Sequence, residues 1–174
     1  METYKAKGLS RFEIRAVAAE VRKLLSISDS SEIPILRTLE YIVTVLDYEL
    51  DIVNDSQLPN KYAETYPSEK LIVIRQSVYE GAFLGDKHSR FTIAHEIGHL
   101  FLHENNRISF ARNSDIENLK PYESPEWQAN VFAAEFLVPF SEIQTLTQDE
   151  IAKKYNVSKK VAYIQSTYTP KIPA

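Results

Sequence analysis

The sequence predicts an α+β fold, in which a small antiparallel sheet packs on a histidine-bearing helix and further helices follow at the C-terminal end. Three patterns indicate this class. Apolar residues recur at helical spacing near both ends of the chain, short β-prone runs lie between residues 48 and 75, and residues 90–103 read RFTIAHEIGHLFLH. The predicted single domain, residues 1–174, divides into N-terminal helices (1–46), a core (47–140) and a helical C-terminal segment (141–174).

The first half of the chain predicts two helices and then three strands. Residues 10–26 carry an apolar stripe that we expect to face inward, and a second helix follows Ser31 and runs to about Leu46. The stripe consists of Phe12, Val17, Val21, Leu24 and Leu25. Three β-prone runs come next, and PSEK between the last two predicts the turn of a hairpin. The runs are YELDIVN at 48–54, KYAETY at 61–66 and KLIVIR at 70–75.

Capping residues mark the two helices that follow the strands. Ser77 with Glu80 fits a capping box for a short helix that ends near Gly85. Ser89 is expected to open the histidine helix. Residues 104–123 show no periodic pattern, so we expect a long loop there, and long loops in compact domains tend to be functional.

The helices of the C-terminal third are better marked. The segment 124–139 has Ser124 as its N-cap, with a proline directly after it, and Pro139 as its terminator. Thr147 and Glu150 form another capping box, which opens a final pair of short helices.

Composition indicates an ordinary folded protein. Of the 174 residues, 44% are hydrophobic and 25% are charged, and the formal net charge of −4 does not favour a nucleic-acid or membrane partner. Cysteine is absent, so any transition metal must be bound by histidine or carboxylates. The N-terminal residues lack the pattern of a signal peptide, and no apolar run reaches the roughly 18 residues of a membrane span, so we expect a cytoplasmic protein.

The residues His95 to His99 match the pattern H-E-x-x-H. Histidines four apart lie on one face of a helix, so both imidazoles can reach one metal ion. Glu96 lies about 100° round from His95, where a carboxylate can take the proton of a water that zinc activates. Gly98 is costly inside a helix, which indicates that another element packs closely against it. The alternative is a buried helix whose polar side merely faces a cleft, but that side carries three histidines and a glutamate.

A catalytic zinc ion usually has three protein ligands and a water, so one more ligand is needed. His103 lies about 12 Å along the helix from His95, too far for both to bind one ion. Leu102 and Asn105 stand where the metzincin pattern requires glycine and histidine, so that pattern is excluded. For His103, a surface position near the helix end is the simplest interpretation, and a supporting role at the site is the alternative.

Two glutamates of the 124–139 helix are candidates for the third ligand. Glu126 stands above small residues that would let its helix lie close to Gly98, whereas Glu135 faces about the opposite way. A first-turn glutamate such as Glu126 is also favoured simply by the helix dipole. The residues alone therefore give Glu126 a modest lead over Glu135.

The blocks RFTIAHEIGHLFLH and EWQANVFAAEFLVP together resemble the signature blocks of the ImmA/IrrE-type metallopeptidases, and the resemblance covers most of residues 45–165. It implies a zincin-like fold. It also implies that His95, His99 and Glu126 bind one Zn²⁺ per chain, or another divalent metal, and that Glu96 is the catalytic base. Characterised members typically cleave helix-turn-helix repressors, so the resemblance implies limited regulatory proteolysis of a repressor protein by metal-activated water.

The C-terminal segment leaves a second hypothesis open. Residues 147–165 resemble a helix-turn-helix core, and residues 147–174 contain five lysines and two acids, a net charge of +3. The alternative function is therefore a DNA-binding or repressor-docking regulator with a non-catalytic metal site. Because the second helix is short and lacks arginine, we expect structural packing first and partner contact second, and do not expect direct nucleic-acid binding.

Overall fold

The computed structural model describes residues 4–103, 108–110 and 120–167. Seven α-helices and two small sheets lie within these ranges, which confirms the α+β class. The helices are α1 (Arg11–Leu24), α2 (Ile35–Val45), α3 (Gln76–Phe83), α4 (Lys87–Leu102), α5 (Pro125–Leu137), α6 (Gln148–Lys154) and α7 (Lys159–Thr167). The strands are β1 (Tyr4–Ala6), β2 (Glu49–Val53), β3 (Ala63–Tyr66), β4 (Leu71–Arg75) and β5 (Ile108–Phe110).

The main sheet has the strand order β2-β4-β3. β3 and β4 pair antiparallel around the PSEK turn, which confirms the predicted hairpin. β2 pairs parallel with β4, so the sheet is mixed and the prediction of a wholly antiparallel sheet was wrong. The central position goes to β4, whose Ile72 and Ile74 are fully buried. Alternation within a run predicts which residues share a face of a strand, but it does not predict which strands are neighbours.

The second sheet joins β1 to β5 in an antiparallel pair, with Tyr4 opposite Phe110. β5 falls inside the segment predicted as a long loop, and residues 104–107 and 111–119 of that segment lie outside the described residues. The strand was missed because its pairing partner lies near the start of the chain, so no local pattern announces it.

Helix α1 confirms the first predicted helix but not its whole inward stripe. Ser10 caps the helix, whose buried residues are Ile14, Ala18, Val21 and Arg22. Phe12 and Leu24 are instead 70% and 76% exposed. The inward face of α1 also includes polar contacts with α5, which apolar spacing cannot reveal.

The predicted capping residues of α3 and α4 were wrong. The backbone N–H and hydroxyl of Ser77 both donate to Asp55, and α3 begins one residue earlier, at Gln76. The N-cap of α4 is Asp86, whose carboxylate accepts from the backbone N–H of Ser89 at 2.7 Å. Asp86 stands three residues before Ser89, which is the usual spacing between an N-cap side chain and the N–H group that it accepts from. The cap therefore lies three residues earlier than predicted.

Helices α5 and α6 begin as predicted, and α7 follows α6 as the second of the predicted pair. Ser124 caps α5, and Thr147 and Glu150 form the capping box of α6. α6 and α7 then pack back on the core, where Tyr155 and Ala162 are fully buried. The Tyr155 hydroxyl donates to the carbonyl of Asp29, which ties this pair of helices to the loop between α1 and α2.

Candidate metal centre

Helix α4 separates an apolar face from a polar one. Ile93, Ala94 and Ile97 are fully buried on the apolar face. Gly98 lies against α5: a Cβ atom there would stand 3.1 Å from Cδ1 of Phe132 and 3.3 Å from Cα of Ala129. The close approach predicted from Gly98 is therefore confirmed, and it brings the N-terminal end of α5 to the histidines of α4.

Three predicted site residues converge where the two helices meet. Nε2 of His95 and Nε2 of His99 lie 3.0 Å apart. Oε2 of Glu126 lies 3.3 Å from Nε2 of His95, and its Oε1 lies 3.4 Å from Nε2 of His99. The possible ligand atoms all lie within 4.8 Å of one another, a separation that one metal ion can span. The Glu126 side chain is 72% exposed, so the group opens to solvent on the carboxylate side.

The chemistry of these groups fits a divalent metal. Hydrogen bonds from His95 and His99 hold the pKa of Glu126 well below its usual range, so its side chain is a carboxylate at neutral pH. Burial opposes a charge on His95 more than any single neighbour favours it, but the hydrogen bonds to Glu126 and Asn130 and the charges of Glu96 and Glu126 together raise the pKa of this imidazole. Two imidazole nitrogens and one carboxylate are the ligand set of a common class of catalytic zinc sites.

Polar groups behind the imidazoles fix their orientation. Nδ1 of His95 lies 3.1 Å from Oδ1 of Asn130, one turn along α5 from Glu126. Nδ1 of His99 lies 2.9 Å from Nδ1 of His103, and Nε2 of His103 lies 3.0 Å from Oε1 of Gln128. His103 is 1% exposed, and burial, together with the nearby His99, lowers its pKa to about 4. The interpretation of His103 as a surface histidine was wrong, because α5 covers the end of α4.

Glu96 lies beside the group without joining it. It is 5% exposed, and the hydroxyl of Thr65 donates to its Oε2 at 2.6 Å. Thr65 belongs to β3, so the edge strand of the sheet and the histidine helix meet at this carboxylate. Among the described residues, the hydrogen bond to Glu96 is made at Oε2, and Oε1 has no such partner.

Glu135 has a different environment from Glu126. Its side chain is 1% exposed and lies between two arginines of α1, with Nε of Arg11 at 2.7 Å and Nε of Arg15 at 2.9 Å. Glu135 therefore joins α5 to α1, on the side of the helix away from the histidines. The predicted opposition of the two glutamates holds in the structure.

Residues 49–166, more than half of the chain, match the family model described as Peptidase_M78, IrrE N-terminal-like domain. The chain belongs to this family. The resemblance to the ImmA/IrrE-type peptidases is thereby confirmed, and with it the zincin-like fold. Membership in this peptidase family also supports a peptidase activity.

One solved structure extends the comparison to most of the chain. A Mycobacterium tuberculosis transcriptional regulator is similar over 94% of this chain and 54% of its own, with a TM-score of 0.56 and 15% sequence identity. The chain thus spans about half the length of that regulator, and the likeness concerns the fold. No curated protein matches the chain. Among the described residues, no helix is long and apolar enough to cross a membrane.

The sequence did not point to three of the supporting residues. Asn130 stands four residues after Glu126, so helical spacing alone could have placed both on one face. Thr65 and Gln128 carry no such signal. Their partners Glu96 and His103 lie far away along the chain, and only packing brings them together.

Proposed function

We propose that this chain is a zinc-dependent endopeptidase that cleaves a helix-turn-helix transcriptional repressor in a limited, regulatory way. The observation that carries the proposal is the convergence of His95, His99 and Glu126 on one point, with Glu96 beside them. The substrate class rests on the resemblance to ImmA/IrrE-type peptidases. Since a repressor acts in the cytoplasm, this is also the proposed location.

In the proposed site His95, His99 and Glu126 hold the metal, which when bound supplies a Lewis acid that activates water and polarises a peptide carbonyl. Oε1 of Glu96 accepts the proton of the attacking water and passes it to the departing amine. The Thr65 hydroxyl donates to Oε2, and in the proposed mechanism this hydrogen bond holds the carboxylate in place while Oε1 faces the reacting groups.

The sheet suggests how a peptide reaches these groups. β3 is an edge strand, and β4 lies between it and β2. An extended segment of the repressor can add to the free edge of β3 through main-chain hydrogen bonds. Since Thr65 of β3 contacts Glu96, a peptide bound at this edge would run past the proton acceptor.

The first prediction concerns Glu96→Gln. This variant should keep its fold and its zinc, because Glu96 is not among the three ligands, but cleavage should fall by at least about 100-fold because an amide cannot accept the proton. New protein N-termini are mapped by mass spectrometry in cells that produce the wild type or the variant. An N-terminus within a helix-turn-helix repressor should appear with the wild type only.

Zinc content provides the control. The wild type and Glu96→Gln should each contain about one equivalent of zinc by elemental analysis, and His99→Ala should contain little. Full zinc occupancy in His99→Ala, or undiminished cleavage by Glu96→Gln, would contradict the proposed function.

A further inference from the structure

Gln128 is fully buried and its amide orientation is determined by its neighbours. Its Nε2 lies 2.9 Å from the carbonyl oxygen of Lys7 and 2.7 Å from that of Tyr122. A carbonyl can only accept a hydrogen bond, so both contacts require the NH₂ group of the amide at this end. Oε1 must then be the atom that faces His103, and it can only accept.

This orientation determines where His103 carries its proton. Nε2 of His103 lies 3.0 Å from Oε1 of Gln128 and must donate to it. A neutral imidazole has a single N–H group, so in neutral His103 this group is on Nε2 and Nδ1 keeps its lone pair. Nδ1 of His99, at 2.9 Å, must donate to that lone pair. With its proton on Nδ1, neutral His99 has a free lone pair on Nε2, the atom that faces His95 and Glu126.

We propose that Gln128 and His103 form a buried relay, anchored on the carbonyls of Lys7 and Tyr122, that holds the proton of His99 on Nδ1 and presents Nε2 to the metal. This inference rests on the proposed metal centre. Gln128 and His103 are positioning residues, because they act through His99 and touch neither metal nor substrate. The relay also makes the backbone next to β1 part of the support of the site.

The support of the His95 imidazole can be compared with that of His99. Nδ1 of His95 contacts Asn130, which is exposed, so water can replace the amide if Asn130 is removed. Water cannot easily replace Gln128, which has no exposed surface. The relay therefore predicts unequal effects for two polar residues that support neighbouring ligands from the same helix.

The direct test locates the protons of His99 and His103 by long-range proton–nitrogen correlation NMR on isotope-labelled wild type, above the ordinary histidine pKa. With and without zinc, His99 should carry a proton on Nδ1, and His103 should carry one on Nε2 and none on Nδ1. A proton on Nδ1 of His103, or zinc bound through Nδ1 of His99, would overturn the proposal. This measurement needs no variant to fold.

Variants then test the effect on the metal. Gln128→Leu and His103→Leu should each weaken zinc binding by about 10–100-fold, measured by competition with a chromophoric chelator. His103→Asn should recover much of this loss, because its amide oxygen can accept from Nδ1 of His99. Asn130→Ala should have a smaller effect than Gln128→Leu.

Gln165→Leu is the matched control for lost stability. Gln165 is also a fully buried glutamine that donates to two backbone carbonyls, those of Ala134 and Val138, but it does not contact the histidines. The Gln165→Leu substitution should destabilise the fold and leave the zinc affinity unchanged. Equal zinc affinities in Gln128→Leu and the wild type would refute the relay. Absence of zinc binding in the wild type would instead refute the metal centre, while the NMR result would still report on the hydrogen bonds.

Discussion

At the scale of single residues, two glutamates of α5 illustrate how environment determines role. Glu126 is largely exposed and shared between two imidazoles, whereas Glu135 is enclosed and shared between two guanidinium groups. An exposed carboxylate beside two histidines can bind a metal ion. A buried carboxylate between arginines stabilises the packing of two helices, and its loss leaves charge in a poorly solvated place.

Substitutions of these two glutamates should have opposite effects on zinc binding and on stability. Glu126→Ala should lose zinc and should reduce the free energy of unfolding of the metal-free protein less than Glu135→Ala does, because the Glu126 side chain is 72% exposed and the Glu135 side chain is 1% exposed. Glu135→Ala should keep zinc and lose about 3–5 kcal/mol of stability, because it breaks a buried ion pair. Elemental analysis and urea denaturation measure the two effects. Should Glu135→Ala not fold, Glu135→Gln replaces it, and zinc loss in either variant at 135 would contradict the assignment.

At the scale of elements, the contact between α4 and α5 depends on a missing side chain. Gly98→Ala should destabilise the protein by about 1–3 kcal/mol, since the added methyl group meets Phe132 and the backbone of Ala129. Thermal and urea unfolding measure the loss. If Phe132 is the obstacle, the double variant with Phe132→Leu should lose less than the sum of the two single changes. Additive losses would show that Phe132 is not the obstacle, and an unchanged stability of Gly98→Ala would show that the methyl group fits without strain.

The N-cap of α4 is Asp86, not Ser89 as predicted, and substitutions at Asp86 can test it. Asp86→Ala should cost about 0.5–2 kcal/mol, as loss of an N-cap does, and Asp86→Asn should cost less because it keeps an acceptor. Hydrogen bonds from the backbone and hydroxyl of Ser89 lower the pKa of Asp86. Its stabilising contribution is therefore present above the pKa of the unfolded chain and is lost as pH falls through the folded value.

Urea denaturation over a range of pH provides the measurement for this cap. The stability difference between the wild type and Asp86→Ala should shrink in acid. A difference that stays constant with pH would mean that the charge of Asp86 does not contribute.

At the scale of the whole molecule, the C-terminal helices serve the core first. Asn156 donates to the carbonyl of Gly85 at the turn before α4, and Gln165 donates to the carbonyls that end α5. The inner face of α7 is therefore used for packing. Its outer face exposes Lys160, Tyr163 and Ile164, a surface that a repressor could contact.

This outer face leads to the last prediction. Replacing Lys159 and Lys160 with glutamate should weaken cleavage of the cognate repressor and leave zinc content intact, because both side chains are exposed. Since Lys159 pairs with Asp149 at 2.9 Å, Lys160→Glu alone separates docking from the loss of that pair. Lys23→Glu changes another exposed lysine, on α1, and serves as the control. Normal cleavage by the Lys160 variant would show that partner choice lies elsewhere.

Features that depend on local spacing could be predicted before the fold was known. The four-residue interval of His95 and His99 places both on one helical face, Ser124 and Pro125 begin the helix of Glu126, and PSEK turns the β3–β4 hairpin. Each follows from the 3.6-residue period of a helix or from turn and cap preferences, which act within a few residues.

Features that join distant parts of the chain became visible in the folded protein alone. The tertiary structure turned Glu135 toward the arginines of α1, buried His103 against Gln128, and placed Thr65 on Glu96. It also put β4 between β2 and β3 and paired β1 with β5. The physical reason is the same in each case: these contacts depend on which surfaces pack together, and periodicity along one segment predicts a face but not its partner.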